Sequence, residues 1–169
     1  MKTLITTLIL IAFSLTTNAV EFGTNVYTDH LFSDTYKDKE TGEQVEYTES
    51  NQMLSLWFDI DQSDFERPFD EGTQLKWGLG RFTNSFGDAG AFVGLVAEPR
   101  IEQYSNAFLG KYETYYSLGG IMTNSYDDMS YMPISVVSVG IRNESGSLSI
   151  GSYGFAAVAV INLTIKLAP

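Results

Sequence analysis

The chain's 169 residues carry 21 acidic side chains against 10 Lys and Arg, a formal net charge of −11, and no cysteine. That balance argues against nucleic acid as a partner and against electrostatic docking on anionic lipid heads. Without disulfides, an exported domain of this size must be held by a good apolar core or by a membrane.

The chain opens with a positive residue, Lys2, and an apolar run from Leu4 to Leu15. Thr17-Asn18-Ala19 then offers the small residues that a signal peptidase reads. The run is shorter than the ~20 apolar residues of a spanning helix. Residues 1–19 are therefore predicted to be a cleaved export signal, with an uncleaved anchor as the alternative. Residues 20–169 are predicted to form a single domain acting outside the cytoplasm. Loss of Lys2 takes the charge to −12.

Beyond residue 19 the apolar pattern has a period of two, as in strands, and no helical period is sustained over three turns. Leu54, Leu56, Phe58 and Ile60 alternate with Ser55, Trp57 and Asp59. Leu75, Trp77 and Leu79 alternate with Lys76, Gly78 and Gly80, and Ile161, Leu163, Ile165 and Leu167 with Asn162, Thr164 and Lys166. Strands are predicted near 22–32, 44–60, 73–83, 90–98, 107–122, 132–142, 146–152 and 154–167. The polar stretch Asp34–Glu46 reads as a loop or hairpin tip, Asp61–Gly72 as an acidic loop, and Asn143–Gly146 as a short turn. Asn143-Glu144-Ser145 and Asn162-Leu163-Thr164 match the glycosylation triplet, a frequent chance pattern.

These strands fit an all-β, antiparallel barrel of about eight strands, with short turns on one rim and longer loops on the other. The run Phe155–Leu167 suits a membrane strand of about 9–11 residues better than an average soluble strand of ~5–6. A soluble periplasmic β-sandwich explains the alternation equally well, since it too hides one face of each strand. The small polar residues opposite the apolar face favour a narrow barrel lumen, because a sandwich exterior more often carries long charged side chains.

His30 is the only histidine and follows Asp29 at a strand end. Imidazole suits proton transfer near neutral pH, although a lone His in such a place is ordinarily a surface residue. One His and no Cys make a transition-metal site unexpected. No Gly-x-Ser-x-Gly elbow singles out a serine. The acids Asp59, Asp61, Asp64, Glu66, Asp70 and Glu71 read as a solvated rim.

Three spaced segments resemble the lipid A palmitoyltransferase-like family of small outer-membrane barrels, including phage-encoded relatives. They are His30 followed by Tyr47-Thr48-Glu49-Ser50; Phe82-Thr83-Asn84-Ser85-Phe86 followed by Gly94; and Tyr131-Met132-Pro133-Ile134 followed by Ser138-Val139-Gly140. The resemblance implies an eight-stranded barrel with an acyl-chain pocket that moves a palmitoyl group from phospholipid to lipid A. It also implies catalytic positions at His30, Ser85 and Asn84. In that site His30 would transfer protons and Ser85 would bind or polarise the ester. Asn84 stands where the family has Asp, and it cannot carry the negative charge that stabilises an imidazolium. The chain also departs from the pattern at Leu167-Ala168-Pro169, where such barrels usually end on an aromatic residue, and it has no room for the family's N-terminal amphipathic helix.

Three functions follow as expectations: an acyltransferase-like outer-membrane barrel, a non-catalytic envelope barrel, and a periplasmic binding sandwich. For the barrel readings the expected partners are membrane lipids, phospholipid and lipid A. The protein is expected to be a monomer with no cofactor and no nucleic acid.

Overall fold

A computed structural model describes residues 16–30, 35–38, 40–47, 52–62, 72–83, 88–107, 110–124, 132–153 and 158–168. Most of the expected export signal, residues 1–15, lies outside the described residues. The strands are β1 (Thr16–His30), β2 (Thr35–Lys37), β3 (Gln44–Glu46), β4 (Met53–Ile60), β5 (Gln74–Thr83), β6 (Ala89–Glu98), β7 (Arg100–Asn106), β8 (Gly110–Thr123), β9 (Met132–Asn143), β10 (Gly146–Tyr153) and β11 (Val158–Ala168).

Eight of them pair antiparallel in the circular order β1-β4-β5-β6-β8-β9-β10-β11. The β1–β11 and β6–β8 ladders close the ring. A single sheet closed on itself is a barrel, and the sandwich alternative is excluded. Most of its strands are eight to fourteen residues long.

Each of the eight predicted strands has a counterpart, with three corrections. The run 44–60 holds two strands, β3 and β4, belonging to different sheets. The run 107–122 begins at Gly110. β7 was not anticipated, because Arg100–Asn106 is polar and follows a proline. Only Pro99 separates β6 from β7, and the Pro99 carbonyl accepts the Tyr116 N–H at 3.2 Å. The two therefore run on together beside β8, and the β7–β8 part forms a ribbon past the rim.

Cross-strand register separates the two faces. Leu54, Leu56, Phe58, Trp77, Leu79, Val93, Leu95, Leu118, Met122, Val137, Val139, Ile141, Leu148, Ile150, Ile161, Leu163 and Ile165 occupy one set of paired positions. Many of these are roughly half exposed, so this is the outer wall. Among the described barrel strands, charge reaches an outward position only at Asp29 and Arg81, near strand ends.

The inward side chains fall into three layers. Toward His30 lies an apolar cluster of Met53, Trp57, Phe92, Val96, Ile121, Ile134 and Val136, with Phe82 and Met132 against it. The middle is polar, with Ser55, Ser117, Ser138, Ser149 and Asn162 around a cavity of about 40 Å³. That volume admits about three water molecules. At the far end sit Glu21, Lys76, Glu98 and Arg142, all buried.

The small inward residues that suggested a narrow lumen have a further use. A Cβ on Gly78 would lie 2.3 Å from Cε3 of Trp57, so the missing side chain is the notch in which the indole lies. The indole N–H then donates to Ser55 Oγ at 3.0 Å.

One irregularity fixes which end residues of β1 face inward. Glu21, Gly23 and Asn25 face the lumen, and strict alternation would next turn Tyr27 and Asp29 inward. The register slips between Asn25 and Tyr27. Val26 and Tyr27 both point outward, 55% and 54% exposed, and the inward set becomes Thr28 and His30. A bulge of this kind inserts one residue and shifts the phase of everything after it.

The rims are not sorted as expected into short turns and long loops. The His30 rim carries the connections 31–52, 84–88, 124–131 and 154–157, while the opposite rim carries 61–73, the ribbon and the 144–145 turn. That turn is held by Asn143, whose Oδ1 accepts the N–H groups of Ser145 (2.9 Å) and Gly146 (3.2 Å). Gly146 has φ of 154°, and a Cβ there would meet the Thr164 carbonyl oxygen. Of the two glycosylation triplets, that at Asn162 is buried in the lumen.

Candidate functional site

His30 is buried at the lumen mouth, which corrects the surface reading of a lone strand-end histidine. Its ring lies flat on Tyr47, with centroids 4.2 Å apart and planes within 8°. Tyr47 in turn tilts against Tyr36 at 5.0 Å. Tyr36 belongs to the β2–β3 hairpin, so of the loop or hairpin tip expected at 34–46 the hairpin is the one found, and it packs to the barrel through three rings.

The flap's turn is organised by Asp38. Its carboxylate accepts hydrogen bonds from Thr41 N (2.7 Å), Thr41 Oγ1 (3.0 Å) and Glu40 N (2.9 Å). These donors, the Thr41 backbone foremost, hold its pKa below the usual carboxylate range.

Asn84 and Ser85 lie outside the described residues. Their described neighbours Thr83 and Asp88 are at strand ends on the same rim as His30, with β4 between β1 and β5. Of the resemblance motifs, His30 and Tyr47 are therefore in contact, while Gly94, Ile134 and Ser138 line the lumen below them.

A second constellation crosses the opposite end. Lys76 Nζ donates to Glu21 Oε2 at 2.9 Å and lies 2.9 Å from Glu98 Oε2. Arg142 donates through Nη1 to Glu98 Oε2 (3.1 Å) and through Nε to Glu113 Oε2 (3.0 Å). Its third bond goes to the Gly72 carbonyl at 3.4 Å, and its guanidinium carbon lies 4.9 Å from the centre of the Tyr115 ring. Arg100 continues the chain to Glu113 at 3.6 Å. Three carboxylates and three cations alternate, and the buried members inside the chain, Lys76, Glu98 and Arg142, each have a partner of opposite charge on both sides. Unpaired charge would be very costly in such surroundings.

Sequence reasoning missed this chain. Its signal was present in Lys76, set between outward Leu75 and Trp77, and in Arg142, which follows outward Ile141. A charge on the inward phase of a membrane-length strand asks for a lumenal partner. Asp59, read as part of a solvated rim, is likewise inward and pairs in register with Lys76. Asp64, Glu66, Asp70 and Glu71 lie outside the described residues.

No family model matches this chain, and no curated protein matches it. The functional argument therefore rests on the barrel and its side chains.

Proposed function

We propose that this protein is a small outer-membrane barrel, exported and embedded through its outer wall. One observation carries the reading: the wall is apolar around the whole circumference, while the buried charge is inside. A water-soluble barrel would have the opposite arrangement. An exposed aromatic side chain at one end of the band, Tyr27 on the His30 side, fits the membrane interface.

Within that barrel the reading extends to acyl transfer on lipid A, with phospholipid as donor. Its support is the inward position of His30 above an apolar lumenal half, on the rim that also bears the strand ends flanking Asn84 and Ser85. His30 is the proton-transfer group, Ser85 the hydroxyl that polarises the ester, and Asn84 a neutral hydrogen-bonding partner.

The test has two parts. Membrane extracts should contain a folded form whose gel migration changes on boiling; a chain that stays soluble without detergent sinks the membrane reading. Lipid A from expressing cells should gain one acyl chain by mass spectrometry, and His30→Ala or Ser85→Ala should abolish that gain. No added chain with the unaltered protein sinks the enzymatic reading and leaves a non-catalytic envelope barrel.

A further inference from the structure

The outer wall is indented at one place. Where β8 leaves the barrel to join the ribbon, a groove of about 410 Å³ opens between Tyr112 and the outer faces of β9, β10 and β11. Its floor and sides are Ile141, Leu148, Leu163 and Ile165, and the β9–β10 turn closes its end.

We infer that this groove holds one acyl chain of a phospholipid as a specific site, distinct from the lipid that surrounds the rest of the wall. The inference rests on the membrane reading above.

Three observations select that occupant. Ile141, Leu148, Leu163 and Ile165 of the lining are continuous with the apolar band, so on the membrane reading that side of the groove faces hydrocarbon, while Arg142, Asn143 and Ser145 line its rim end. The volume suits a single flexible chain; a helix ~10–12 Å across with a 5.4 Å pitch would fill it with about one turn. Finally, the groove ends at a polar turn on the rim, where a head group would meet the interface.

The head group itself goes unread. Arg142 is committed to Glu98 and Glu113 inside the lumen, and Asn143 Oδ1 is committed to its own turn. Selection therefore falls on the chain and not on head-group charge.

Native mass spectrometry of the full barrel, released from micelles doped with phosphatidylglycerol or phosphatidylethanolamine of identical chains, tests this. The expected result is a single retained phospholipid per barrel, equal for the two head groups. Leu148→Trp and Ile165→Trp, which fill the groove, should each lower its occupancy at least tenfold. Leu95→Trp, outward on β6, should leave occupancy unchanged, and heat-modifiable migration checks that every variant is folded. Equal loss in all three variants, no loss in the groove pair, or a preference for one head group overturns the inference. A dimer that Leu148→Trp abolishes would assign the groove to a second copy and overturn it too. Failure of the unaltered chain to enter micelles is a different result, because it removes the membrane reading itself.

Discussion

At the scale of single residues, the ion chain is where side-chain chemistry decides most. Lys76 has a carboxylate on either side, so its removal strands Glu21, whereas Glu98 keeps Arg142. Lys76→Met is expected to cost about 3–5 kcal/mol, the range for breaking a buried pair from one side. Pairing it with Glu21→Gln should recover a large part, since no unpaired charge then remains. Urea unfolding of the refolded barrel in lipid vesicles measures both, and additive losses would show that the two side chains do not interact. The individual charges were visible in the sequence as interruptions on the inward phase, but their partners were not. Lys76 and Glu21 are 55 positions apart, and Arg142 and Glu98 are 44 apart. Nothing local to either strand records which distant strand it will face.

At the scale of elements, alternation revealed the barrel strands because membrane-length strands repeat the pattern several times over. It failed where the pattern stops carrying burial. β7 is exposed along its whole length and so has no apolar phase to read. The β1 bulge is silent for a related reason: Val26 and Tyr27 look like one more step of alternation until the register with β11 is known. That bulge predicts an asymmetry between two deletions. Removing Val26 restores regular pairing and should keep His30 inward, whereas removing Asp29 should turn His30 to the outer wall. Because His30 is the only histidine, its reaction with diethyl pyrocarbonate reports the facing directly. Modification should be slow in the parent and in the Val26 deletion, and fast in the Asp29 deletion. Equal rates in the two deletions would contradict the assigned phase.

At the scale of the whole molecule, the division between outer wall and lumen sets how the barrel answers to new charge. Ile150→Arg, midway along β10, should destabilise the bilayer-inserted barrel by about 2–4 kcal/mol. Leu167→Arg, near a strand end, should cost about 0–1 kcal/mol, because its side chain can reach the interface. Vesicle-based urea unfolding distinguishes them, and equal costs would mean that no depth gradient acts on the wall. The ring itself closes where β1 meets β11, the first and last of the described strands. Until that ladder forms, the growing sheet has two open edges, each a row of unpaired amide and carbonyl groups that hydrocarbon, on the proposed membrane reading, would leave unsatisfied. Pairing segments so distant along the chain makes for slow folding. The seam is therefore expected to act as a kinetic checkpoint: a chain stopped short of β11 should give not a smaller barrel but an open sheet prone to aggregate.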